Sequence, residues 1–204
     1  MKSPRGVSAF VRRLEDLIAE EVSGRDRVTL AYSGGLASTL VAMVARKRTD
    51  LECIVAGVDG SPDIRTAKLA KDYLDYRMEY ILLNPRETRR IHERLAVVYP
   101  RLSPRDRETL VPIEAVLERT RGRLVMCGFG SPRLQEDVAA ALRHAEVSAP
   151  LHALAHGRAL PRAILQAAAT ALGLPSEWAR TPHRAPGVGA GVEYLLHKTP
   201  RESS

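Results

Sequence analysis

The sequence predicts an α/β fold, an open parallel sheet with helices on both faces. Three observations carry this reading. Apolar runs at Val28–Tyr32, Leu51–Gly57, Arg77–Leu83 and Leu124–Cys127 alternate with longer amphipathic stretches, the β-α-β-α-β-α-β order of parallel sheets. The second run, LECIVAG, is continuously apolar, as strands covered on both faces are. The first run stops at Ser33-Gly34-Gly35 and passes straight into a helical pattern, the kind of turn that holds a phosphate at a helix N-terminus.

Taken in order, Ser8–Val22 places Phe10, Leu14, Leu17, Ile18 and Val22 on one face of a first helix, with Ser8 as N-cap and Gly24 as stop. The helix after the glycine loop runs from about Ser38 to Lys47, and the basic Arg46-Lys47-Arg48 suits its C-terminus. Asp59, Ser61 and Asp63 fall in a turn before a helix over Ile64–Tyr76. Helices follow at Arg86–Tyr99 and at Ser103–Arg119, the second with a kink at Pro112. Leu124–Cys127 leads into Gly128-Phe129-Gly130-Ser131-Pro132. Beyond Ala149 the chain is alanine-rich and punctuated by proline, with helices over Pro161–Gly173, Ser176–Arg180 and a last one to about Leu196. Residues 1–204 read as one domain, with an α/β core over 1–145 and a C-terminal helical part over 146–204 completing the site.

Composition narrows the classes. Hydrophobic residues at 45% and charged residues at 27% are those of a globular protein. No apolar run approaches the roughly 18 residues of a membrane span, and the N-terminus lacks a secretory pattern, so a cytoplasmic protein is expected. Cys53 and Cys127, the two cysteines, lie in apolar runs and read as buried thiols rather than a metal or redox pair. A net charge of +7 admits phosphates or RNA. Aromatic residues at 4% disfavour a base-stacking platform.

The loop Ser33-Gly34-Gly35-Leu36-Ala37-Ser38-Thr39 carries the chemistry. It is neither a Walker A loop nor GxGxxG. Its glycines let the backbone approach an anion, its hydroxyls add donors, and the helix dipole favours negative charge. His152 and His156, at i and i+4, could share a helix face, but no third ligand sits at a recognised spacing. His92, His144 and His197 read as surface or capping residues, and the arginines of Arg86–Arg94 as a solvated helix face.

AYSGGLAST resembles the pyrophosphate loop of the N-type ATP pyrophosphatases, and most of all that of the synthetase domain of asparagine synthetase. IVAGVDGSPDIRTAKLAKDYLDYRMEYI and the stretch from Ala149 to Leu196 are similar to further parts of that domain. The likeness is weakest around Arg86–Arg119. The resemblance implies a Rossmann-like, adenine-nucleotide alpha-hydrolase-like fold. It implies ATP with its phosphates on Ser33–Thr39 and its adenine near Leu30–Tyr32, Gly57 and Val58, with Gly128 and Gly130 on the facing loop. A carboxylate would then attack the α-phosphorus, and ammonia or an amine would displace AMP.

The departures fall on charged positions. The loop's acidic position is Ala37. The family's second acidic motif is Gly128-Phe129-Gly130-Ser131-Pro132-Arg133 here, and its lysine position is Arg184, with His183 beside it as a second candidate for chemistry. The metal ligands are therefore unknown. Asp59, Asp63, Glu136 and Asp137 are the nearest carboxylates for Mg, while Arg133 and Arg184 could instead neutralise pyrophosphate directly. Three readings stay open: an ATP-binding, amide-forming ligase, a non-catalytic adenine-nucleotide-binding or regulatory module, and a tRNA-modifying enzyme of the same loop class. Expected partners are an adenine nucleotide, a small carboxylate and an amine or ammonia, with a protein partner or homodimer also open. Nucleic acid is admitted but not favoured, and no membrane is expected.

Overall fold

Strand β1 (Arg27–Ala31) lies at the centre of the sheet, hydrogen-bonded to β2 (Asp50–Gly57) on one side and β4 (Val125–Cys127) on the other. The computed structural model describes residues 4–120, 122–130, 135–156, 158–180 and 185–197. With β3 (Arg77–Leu82) and β5 (Val147–Ser148), the strands form a five-stranded parallel sheet in the order β3-β2-β1-β4-β5. The chain builds outward from β1 to β3, then crosses back to place β4 and β5 on the far side of β1. The order thus reverses between β1 and β4, where the carboxyl ends of an open sheet leave a crevice.

Side chains alternate across each strand and so feed two cores. Val28 and Leu30 of β1 and Tyr32 just beyond it, with Cys53 and Val55 of β2, pack against α1 (Pro4–Val22), α2 (Leu36–Ala45), α7 (Pro150–Ala155) and α8 (Arg162–Ala171). α3 (Pro62–Leu74) sends Ile64, Ala67 and Ala70 into the same cluster. Ile54, Ala56, Val125 and Cys127 face the other way. They meet α4 (Pro85–Val98), α5 (Pro104–Thr120) and α6 (Glu136–His144). α9 (Ser176–Ala179), α10 (Pro186–Gly189) and α11 (Val192–His197) are short. Among the described residues no helix is long and apolar enough to cross a membrane.

The structure departs from the sequence expectation in places that bear on the site. α1 starts at Pro4, so Ser8 lies within it. α2 starts at Leu36, which puts Ser38 and Thr39 inside the helix. α3 starts at Pro62, so Asp63 sits in its first turn rather than before it. α6 and β5 are additional elements, too short or too close to the Gly128 loop for a periodic signal. α5 continues through Pro112. Proline withholds the amide that would bond the carbonyl four residues back, here that of Glu108. Gly187 of α10 packs there, and a Cβ on it would come within 3.2 Å of the Glu108 carbonyl oxygen. The buried Glu108 side chain pairs with His197 Nε2 at 2.8 Å, tying α11 to α5.

Candidate functional site

The glycine loop is the turn from β1 into α2. The Tyr32 amide donates to the Ile54 carbonyl at 2.9 Å, after which the chain leaves the sheet. Gly34 turns it with φ of 71° and presses against α3, where a Cβ would meet Thr66 and Ala67 at 2.9 Å. A residue with a side chain would be strained there twice over, by the left-handed backbone and by the contact. Gly35 is the N-cap of α2 and supplies no capping side chain. The amides of Leu36, Ala37 and Ser38 therefore open a helix whose own carbonyls cannot reach them.

Hydroxyls hold this turn in shape. Ser38 Oγ donates to the Gly35 carbonyl at 3.0 Å, the Gly35 amide donates to Ser33 Oγ at 3.3 Å, and the two serine hydroxyls lie 3.2 Å apart. Thr39 turns inward instead, its hydroxyl 2.9 Å from that of Tyr32. Burial pushes the Tyr32 phenol far above its ordinary range, so it stays protonated and structural.

The loop after β4 closes on the same point. A Cβ at Gly128 would lie 2.5 Å from the backbone nitrogen of Ser38, so only glycine lets this loop touch the first turn of α2. Gly130, with φ of 142°, lies against the backbone of Leu151 and His152 in α7, and its carbonyl accepts from the Leu160 amide at 3.2 Å.

Between the two loops, at the β1–β4 reversal, opens a cavity of about 540 Å³. Ser33, Gly35, Leu36, Ala37 and Ser38 line one end, while Ala31, Ile54, Ala56 and Cys127 form its floor. α5 forms the facing wall through Arg105, Thr109, Pro112, Ile113 and Val116. Burial pushes the Cys127 thiol up to about 12, so it is a neutral, apolar floor group and not a thiolate nucleophile. Residues at the N-terminal ends of α2, α3, α5, α6 and α8 all reach the cavity, namely Leu36, Asp63, Arg105, Gln135 and Arg162. Helix N-termini carry partial positive charge, and five converging on one crevice favour an anion there.

The floor also offers a backbone edge. The Ile54 carbonyl points toward β1, where it accepts from Tyr32, and the Gly57 carbonyl points toward β3, where it accepts from Leu83 at 2.9 Å. Alternation in a parallel strand then turns the amide and carbonyl of Ala56 toward β1. The β1 ladder ends at Ala31↔Ile54, and Ala56 lines the cavity. One donor and one acceptor thus face the space that β1 has vacated.

The sequence model of the asparagine synthase family matches residues 9–183, a span that includes every strand and both loops. The chain belongs to the asparagine synthase family. Among curated proteins none matches the sequence.

Within this family chain the expected site residues divide. Ser33, Gly35, Leu36, Ala37, Ser38, Gly128 and Gly130 line the cavity. Gly34 and Thr39 stand behind it, one against α3 and the other against Tyr32. Gly57 and Val58 are not among the residues that line this cavity. The Val58 amide donates to the Ala190 carbonyl at 2.8 Å, and a Cβ at Gly57 would meet the same carbonyl at 3.1 Å. The C-terminal helices cover that strand end, and the open edge is one residue earlier, at Ala56. His183 and Arg184 lie outside the described residues, as do Ser131, Pro132 and Arg133. His152 and His156 do not share a helix face, because His156 leaves α7 with φ of 47°.

Of the carboxylates expected as metal ligands, Asp63 lines the cavity, and Asp106 joins it. Glu136 pairs instead with Arg143 at 2.7 Å. Asp106 accepts from Ser103 Oγ at 2.5 Å while its amide donates to the same hydroxyl at 3.2 Å, a cap on α5. No group of three metal-ligating side chains forms among the described residues. The internal residues outside that set, Arg121, Ser131–Leu134, Gly157 and Thr181–Arg184, include no Asp or Glu. Magnesium at nucleotide sites takes one or two carboxylates beside phosphate oxygens, and the only acids among the cavity's described lining residues are Asp63 and Asp106, each already engaged within the protein. The α5 wall was not foreseen. Its signal was the spacing of Arg105, Thr109, Pro112, Ile113 and Val116, which puts all five on one helical face.

Proposed function

We propose that the chain binds ATP in the cavity at the β1–β4 reversal. The phosphates lie at the first turn of α2, among Gly35–Ser38, and the adenine lies on the floor against Ala56. The observation that carries this reading is that one cavity joins a convergence of helix N-termini to an open donor–acceptor edge over an apolar floor. Adenine complements that edge, with its 6-amino group donating to the Ala56 carbonyl and N1 accepting from the Ala56 amide.

The enzymatic form of this reading is amide formation. A substrate carboxylate attacks the α-phosphorus and expels pyrophosphate, leaving an acyl-adenylate. Ammonia or an amine then attacks the acyl carbon and releases AMP. Such a site works by positioning reactants and stabilising phosphate charge. A second reading, a nucleotide-binding module without turnover, is favoured by Ala37, which presents a methyl group to the cavity where the family resemblance implies an acid.

The test is calorimetric titration with ATP, followed by AMP release from α-labelled ATP across a panel of carboxylates and amines. Binding with carboxylate-dependent AMP release supports the ligase. Binding without AMP under any condition leaves the module reading. A chain that binds neither ATP nor adenosine refutes both.

A further inference from the structure

We infer that Arg105 and Arg162 neutralise the phosphates of the bound nucleotide in place of a protein-held divalent cation, so that ATP binding here does not depend on magnesium. This rests on the ATP reading of the cavity and adds to it a charge partner drawn from parts of the chain that the glycine loops do not include.

The two arginines come from opposite sides of the sheet. Arg105 is in the first turn of α5, whose buried residues join the Ile54 core, and Arg162 is the first residue of α8, which packs in the Leu30 core. Both nonetheless line the one cavity that contains Gly35–Ser38. Guanidinium stays charged at any working pH and presents a planar set of donors that matches phosphate oxygens two at a time. Each also stands at a helix N-terminus, so dipole and side-chain charge add.

The acidic side of the balance is thin. Ala37 contributes no oxygen. Asp106 accepts through one carboxylate oxygen from the Ser103 hydroxyl, which itself caps α5. Asp63 lies hard against Gly189, where its carboxylate fills the space that a Cβ would need. A cation bridging phosphate to protein would have to draw on these two engaged carboxylates, whereas two guanidinium groups already border the space.

The test compares ATP affinity of the full chain in excess EDTA and in excess magnesium chloride, with adenosine as a ligand lacking phosphate. ATP is expected to bind as tightly in EDTA as with magnesium, within about twofold. Arg105→Gln and Arg162→Gln are each expected to weaken ATP by about tenfold, the loss of one charge-assisted contact, and to leave adenosine affinity within about twofold of wild type. Retained adenosine binding also reports that each variant is folded. A loss of about tenfold or more in EDTA would overturn the inference, as would two variants that bind ATP like wild type. Either result leaves the ATP reading standing, since ATP still binds. Failure of the wild-type chain to bind both ligands removes the reading and the inference together.

Discussion

The two faces of the sheet are built from the same strands but packed to different ends. On the α1, α2, α7, α8 face, Leu14, Ile18, Leu30, Leu40 and Leu151 are fully buried and the layer is closed. On the α5, α6 face the layer is closed only away from the carboxyl ends. There Ala31, Ile54, Ala56 and Cys127 pack against α5 and also floor the cavity that opens between α5 and the glycine loop. The closed face holds the glycine loop rigid from behind, through the Tyr32–Thr39 bond and the body of α2. The open face leaves room for what the loop can bind. Support and access are thus divided between the two sides of one sheet.

The seam between the faces is the most sensitive place to test this. Gly128→Val should cost about 3 kcal/mol or more in a denaturant melt and abolish ATP binding, because backbone atoms of Ser38 lie 2.5 Å from where its Cβ would go and cannot step aside as a side chain could. A variant of unchanged stability would show that the two loops are not in contact.

Within each face, core truncation should read the difference in packing. Leu30→Ala on the closed face should cost about 3 kcal/mol, the usual cost of a buried leucine with an unrelieved cavity. Ile113→Ala on the cavity wall should cost about 1–2 kcal/mol, since part of its surface already faces space rather than protein. Equal losses in chemical denaturation would contradict the division into a closed and an open face.

The two cysteines offer the gentlest comparison, with one on each face. Burial pushes both thiols up to about 12 from an ordinary value of 9.0. A thiol whose folded-state value is raised contributes stability that is intact below the unfolded value and is lost as pH climbs toward the folded one. Stability should therefore decline from about pH 9 toward about pH 12, measurable by urea titration across that range. In the native state at pH 8, thiol reagents should react slowly with both and faster with Cys127, which borders the cavity. Added ATP should slow the reaction at Cys127 and leave Cys53 unchanged. Faster labelling of Cys53 would place the opening on the wrong face.

Much of the architecture was legible because parallel strands buried on both faces write themselves as apolar runs. LECIVAG became β2 with the expected limit at its end, and Ser33 and Gly35–Ser38 came to line a cavity. Which backbone groups stay open at the end of β2 was less legible. Choosing between Ala56 and Val58 depends on which way each amide points, and on whether a segment more than a hundred residues later covers one of them. The α5 wall fell in the stretch where the resemblance was weakest. There an amphipathic pattern announces a helix without saying whether its face meets a core or a void.

By itself the sequence determined the fold class, the glycine loop and the family, because periodicity, turn chemistry and motif spacing are local properties of the chain. Only the tertiary structure decided which side chains stand opposite that loop. It brought Arg105 and Arg162 from the two faces to one crevice, tied Asp106 to a helix cap, pressed Asp63 onto Gly189 and covered Val58 with Ala190. Each of these joins residues far apart in sequence or turns a group by one step in a pleat, and no local pattern encodes either. The Ser33–Ser38 loop could be read from the chain alone, but what stands opposite it could not.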